Sequence, residues 1–301
     1  MININRAAEL LGHNSPIYAL SGYLDNTVLS VGGDGWLVQW SLENLKADGQ
    51  LLARVDAQIF ALALMAQQKK AVVGCMLGGL YWLDLADGRL EQRVMAHDGG
   101  VYGLAVLGDN LFSTGADGRL SRWSIKTQQR AESFQLSHQG LRALLPIPDT
   151  NLLWVGGKDG HIYIVDSETF SLVDTIKNAH EGTVFSLHYD TQNKRVWSGG
   201  RDAFLRIWSP DTLQLLGEQP AHLFTLNAFA QSPDGQYIAT SSRDKTIKIW
   251  RAADSELLKV VDTIRYGAHT HSINSLYWSP SGALVSASDD RRIMVWAVDF
   301  Q

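Results

Sequence analysis

A chain of 301 residues that is 45% hydrophobic, with 27 glycines and 7 prolines, has an ordinary globular composition and ample material for a core. Its formal net charge of −5 argues against a nucleic-acid binder, which normally carries an excess of Lys and Arg. The one cysteine excludes an internal disulfide framework, and the longest apolar run, Ile59 to Ala66, is far too short for a membrane span.

The N-terminal stretch MININRAAELLGH lacks the continuous apolar segment of a secretion signal. Asn-x-Ser/Thr acceptors do not occur. Cys75 lies in the apolar run Val72 to Leu77, where a buried, unreactive thiol is expected. These features predict a reducing compartment, most simply the cytoplasm.

Taken in chain order, the sequence copies itself about every 42 residues. The clearest landmark is an Asp followed six residues later by Trp. The first copy carries His13, Ser30, Asp34 and Trp40. The second is degenerate, with Asp56 near the His place, Val73 for the hydroxyl, and Leu77 and Leu83 at the Asp and Trp places. The third has His97, Ser113, Asp117 and Trp123. The fourth has His138, Val155, Asp159 and Val165. The last three are complete: His180, Ser198, Asp202 and Trp208; His222, Thr240, Asp244 and Trp250; His269, Ser286, Asp290 and Trp296.

Each copy reads as strands. Leu205 to Trp208 and Ile247 to Trp250 alternate with period two, as half-buried strands should. Asp34-Gly35, Asp117-Gly118 and Asp159-Gly160 predict tight hairpins, and the segments Ser232 to Gly235 and Ser279 to Gly282 predict turns at the other end. No copy holds a long amphipathic helix, so each repeat is expected to be a four-stranded antiparallel blade.

Gly12-His13, the Asp and the closing Trp at about forty-residue spacing resemble the WD-repeat β-propeller family, and the match runs through all seven copies. One departure is visible: Ser41, Ser124, Ser209, Arg251 or Ala297 follows the landmark Trp, where the family has Asp. The resemblance implies an all-β fold, a single seven-bladed propeller over residues 1–301. It also implies that residues 2–11 supply the outer strand of the last blade, because the chain ends five residues after Trp296. In the family the repeated His, hydroxyl, Asp and Trp form a buried hydrogen-bonded chain. The recurrent Ser/His/Asp sets are therefore read as structural rather than as catalytic triads, which need an exposed nucleophile. In the degenerate second copy, apolar packing is expected to replace the network as a unit.

Other chemistry is weak. His269 and His271 lack further converging ligands, so no metal is expected. The Gly32 to Gly35 run superficially resembles a phosphate loop, but no helix or Lys follows in the required order. No cofactor is predicted. A channel enzyme would need clustered acidic or His residues on innermost strands; these show Ala, Leu, Ser and Gly instead, with His188 an isolated exception.

The family resemblance places the His loop and the Asp turn on one face, the top. The residue after each apolar start of an innermost strand is then expected to look into the central opening: Tyr18, Phe60, Tyr102, Arg142, Phe185, Asn227 and Asn274. Aromatics and Arg are the types enriched at binding hot spots. The residues before each landmark Asp share that face, and three consecutive blades place Lys158, Arg201 and Arg243 there beside Arg142. This basic arc favours an acidic, phosphorylated or carboxylate-bearing segment. The sequence thus predicts a non-enzymatic scaffold binding a peptide or partner protein across the top face, itself monomeric within a larger complex. The alternatives are a propeller enzyme with a central-channel site and, less well supported by the charge, a nucleic-acid-binding propeller.

Overall fold

Period-two burial marks innermost strands, whereas the strands beside them, such as Thr27–Gly32, are buried on both faces. In Ile59–Met65 the buried side chains are Ile59, Ala61, Ala63 and Met65, and the intervening ones are half-exposed. In the computed structural model, which describes residues 2–24 and 26–300, the strands form seven four-stranded antiparallel sheets. Six sheets are simple meanders. The seventh has the order expected for closure: Ile2–Leu11 lies outermost against Arg292–Phe300, followed by Leu284–Ser288 and Ile273–Trp278. Ile2 pairs with Phe300 and Leu11 with Arg292. The innermost strands touch in cyclic order, and the strand of the last blade contacts that of the first. The ring is closed.

The core lies between blades rather than within them. One cluster joins Ile4, Ile249 and Trp278 across the last two blades, and another joins Leu10, Val38 and Trp40 to Val285 and Val295 across the closure. Cys75 is fully buried, and burial pushes its thiol up to about 12.

The residue after each landmark position has a left-handed backbone in all seven blades: Gly35, Gly78, Gly118, Gly160, Ala203, Lys245 and Arg291. At Gly78 an added Cβ would lie 1.9 Å from the His97 carbonyl oxygen, so glycine there answers both a positive φ and a close approach. The Asp34 and Gly35 run is a hairpin turn. The longest link between blades, Arg251 to Ala268, contains an outer strand, Leu257–Val261, and one short helix, Thr263–Tyr266, capped by Asp262. Among the described residues, no helix is long and apolar enough to cross a membrane.

Candidate functional site

In five blades the repeated polar residues form one buried chain. The indole nitrogens of Trp40, Trp123, Trp208, Trp250 and Trp296 stand 2.8–2.9 Å from the Ser or Thr hydroxyl. That hydroxyl stands 2.7–2.8 Å from the His Nε2. The His Nδ1 lies 2.9–3.0 Å from the Asp carboxylate. The proton order follows from chemistry. An indole N–H can only donate, so the hydroxyl accepts it and gives its own proton to Nε2, which leaves Nδ1–H to donate to the carboxylate. The imidazole is therefore neutral. Ser198 is inaccessible to solvent and His180 nearly so, a position from which neither can meet a substrate.

Burial holds the imidazoles of His97, His180 and His222 below their ordinary value, although the partner Asp pulls the other way. Burial also raises the carboxyls of Asp34, Asp202, Asp244 and Asp290, but donation from the partner His and from backbone N–H groups outweighs it and holds them below the carboxylate range. Both shifts act in one direction. As pH falls below about 6.5, the unfolded chain takes up protons that the folded imidazoles refuse, so stability declines toward their depressed values. The carboxylates add a further loss below about pH 4. Calorimetry should show Tm falling from about pH 7 to about pH 5; a flat or rising Tm would mean that the buried imidazoles are charged. His180→Ala or Asp202→Asn should cost about 1–3 kcal/mol in denaturant unfolding, because each leaves buried partners unpaired. Ester or peptide hydrolysis by the wild type that ceased on either change would overturn the structural role.

Two blades depart from the sequence reading. In the fourth, His138 is exposed and takes no part. Ser137, one residue earlier, donates to Asp159 at 2.5 Å, and the Tyr163 hydroxyl donates to the same carboxylate at 2.6 Å. In the second, Val73 and Leu83 are buried as expected, but Leu77 is 68% exposed and a polar contact survives. Tyr81 donates to Asp56 at 2.6 Å, and Arg93 reaches the other carboxylate oxygen at 3.3 Å. Apolar packing replaces only the inner part of the network. Burial and the adjacent carboxylate push both tyrosines up to about 12.

The mouth is built by a repeated backbone irregularity. Every innermost strand slips register against its neighbour, and the unpaired residues are Tyr18, Phe60, Tyr102, Arg142, Phe185, Asn227 and Asn274. A β-bulge of this kind re-aims one side chain. The residue before each landmark Asp fixes the same spot by donating its N–H to the carbonyl just ahead of the strand, as Lys158 does to Gly140 and Arg201 to Thr183. All seven bulge residues are half-buried, and all line one depression of about 730 Å³.

Their roles divide. Tyr18 meets Phe60 edge-on at 5.0 Å, and Phe60 meets Tyr102 at 5.8 Å. The Arg142 guanidinium lies 4.4 Å from the Tyr102 ring centre and 5.3 Å from that of Phe185. Blades one to five thus present a continuous arc of rings with one cation set into it. Asn227 and Asn274 are different: their amides tie adjacent blades, Asn227 donating to the Ile273 carbonyl at 2.9 Å and Asn274 to the Ile17 carbonyl at 2.9 Å. Position at the mouth was expected for both, but their donors are engaged in closing the ring.

Lys158 joins Arg142, Tyr102, Thr183 and Phe185 around a smaller recess of about 180 Å³. Arg201 and Arg243 are exposed and lie outside the lining of the depression. Asp289, His271 and Met76 line it, although only Met76 and Asp289 belong to a repeated top-face position. Leu223 and Phe224, 85% and 57% exposed, follow His222 where no other blade places a large apolar residue; that contrast between copies is visible in the sequence and was missed. Below the mouth, the ionisable side chains among the residues lining the channel are Tyr18, Tyr102 and Arg142. His188 points elsewhere: it stacks on Phe229, and burial drives it down to about 4. No group of three His, Cys, Asp or Glu that could hold a metal occurs among the described residues, and His271 contacts Thr270.

Comparison with known proteins agrees with this geometry. The model of the WD domain, G-beta repeat, matches residues 213–251 and 259–297. The chain is 25% identical over 297 residues, 95% of its length, to Protein tipD of Dictyostelium discoideum. It is 30% identical over 168 residues, 48% of its length, to Nuclear distribution protein nudF of Emericella nidulans, and 29% identical over 163 residues, 50% of its length, to the THO complex subunit 6 homolog of Danio rerio. It spans less than half of these relatives, 47%, 36% and 48% respectively. Among solved structures, the WD40 β-propeller domain of Doa1 superposes with a TM-score of 0.86 at 18% identity, covering 98% of this chain and 97% of that one.

Proposed function

The chain is a seven-bladed WD-repeat β-propeller, and we propose that it works as a non-enzymatic platform that binds a partner protein or peptide across its top mouth. The observation that carries this reading is the bulge repeated in seven blades, which turns four aromatic rings and Arg142 toward one open depression. Rings held by a closed scaffold lose little freedom on binding, and aromatic and Arg side chains dominate interface energetics. The relatives fit: one is named as a homolog of subunit 6 of the THO complex. The exposed cations Lys158, Arg201 and Arg243, lying on consecutive blades, favour an acidic or phosphorylated segment in the partner. A cytoplasmic, monomeric propeller within a larger complex is the matching setting.

Rim charges chiefly steer encounter. Arg201→Glu with Arg243→Glu should therefore slow partner association several-fold at low salt and flatten its salt dependence, with little change in dissociation, as read by surface plasmon resonance on the captured partner. Asp149→Ala and Asp234→Ala, in turns at the opposite end of the blades, should leave both rates alone. If the bottom-face pair abolishes binding and the top-face changes do not, the platform faces the other way.

A further inference from the structure

The mouth holds two opposite charges that do not meet. Arg142 stands on blade four against the rings of Tyr102 and Phe185, and its guanidinium makes no hydrogen bond or ion pair among the described residues. Asp289 stands on blade seven, on the far side of the same depression, and the contact its side chain makes is the Asn274 amide at 2.7 Å. Burial depresses the Arg142 guanidinium below its usual value, so its charge is held there at a cost. A pair placed for stability would be joined, as Arg206 and Asp202 are at 2.7 Å elsewhere in the ring. Here the closed ring keeps the two apart. The hydroxyl of Tyr18, raised first by its burial, feels both: Asp289 raises it further and Arg142 lowers it.

Between the two poles the wall is mixed: on one side the apolar surface of blade two stands between Tyr102 and Tyr18, and on the other Phe185 is followed by the amide of Asn227. Phe60 and Met76 form that apolar surface, and Met76 is 48% exposed. The recess over Arg142 is about the size of one side chain, and Lys158 at its rim adds a second cation.

We infer that the mouth is a bipolar clamp that takes one extended peptide segment, with an acidic side chain seated on Arg142, a basic side chain seated on Asp289 and apolar residues between them on Phe60 and Met76. This rests on the reading of the mouth as a partner-binding site. It goes beyond that reading in specifying both signs of charge and the direction in which they lie.

A display library of short random peptides, selected in parallel on the wild-type chain and on Tyr102→Ala/Phe185→Ala, tests it. Peptides that depend on the wild-type mouth should carry an acidic and a basic residue separated by apolar ones. Arg142→Gln should weaken such a peptide roughly tenfold or more, and replacing the peptide's acidic residue by Gln should then cost nothing further. Asp289→Asn should behave in the same way toward the basic residue alone. The peptide-side changes also report on the unaltered protein, so the result does not hang on the stability of a variant. Mouth-dependent peptides with one sign of charge or none, or with charges uncoupled from Arg142 and Asp289, would overturn the clamp and leave the mouth as a binding site. Peptides indifferent to the aromatic pair, or no selected peptides at all, would overturn the mouth reading and the clamp with it.

Discussion

Tyr102→Ala combined with Phe185→Ala is expected to abolish partner capture, weakening binding by roughly a thousandfold while the protein stays folded. The two rings flank Arg142 and are only half-buried in the free protein, so each has surface left to offer. Truncating a hot-spot aromatic typically costs about 2 kcal/mol or more, and two such losses correspond to about three factors of ten at 1.4 kcal/mol each. The pair also holds the guanidinium in place, so its loss frees Arg142 to swing toward water. The fold should survive because both residues are bulge residues outside the inter-blade core clusters. Titration calorimetry with the captured partner measures the loss, and circular dichroism verifies the fold. Binding within threefold of wild type would remove the mouth from consideration.

Deleting residues 1–11 is expected to produce the largest effect on stability. The outer strand buries Ile4 and Leu10 almost completely, and each belongs to a different core cluster. Losing a buried Ile or Leu side chain costs about 2–5 kcal/mol. The ladder to Arg292–Phe300 is lost as well, and with it the covering of the last sheet's edge. A melting point lower by roughly 10 °C or more follows from a few degrees per kcal/mol in a chain of this size. The exposed edge should also drive association between molecules, visible as larger species in size-exclusion chromatography. A monomer with an unchanged Tm would show that the ring is held by something other than this strand.

The seven blades were legible because their landmarks are chemical. An Asp six residues before a Trp, repeated at near-constant spacing, is hard to produce by chance. What escaped the sequence depends on partners far along the chain. A bulge is a property of two strands, and Ile17-Tyr18-Ala19 reads like any alternating segment. Asn227 and Asn274 are polar residues at a mouth until their acceptors, Ile273 and Ile17 on neighbouring blades, are known. His138 misled because the interval from His to Asp varies among blades, so a histidine one residue out of place fits the pattern, while Ser137 does the work at Asp159. The tyrosines four residues beyond the landmark, Tyr81 and Tyr163, carry the compensation in both degenerate blades; their shared offset was available to be read.

The pairing of Ile2 with Phe300 also sets an order of events during synthesis. Residues 2–11 are synthesised long before their partner strand, Arg292–Phe300. At about 5–20 residues per second, the leading strand waits roughly a quarter of a minute to a minute without its mate. Six meander blades can assemble in that interval from neighbouring segments alone, each against the one before it. The final event is then an intramolecular search by a tethered strand for a ready-made three-stranded sheet. Until it succeeds, the nascent propeller carries two complementary open edges, and a second nascent chain close by could fill either of them.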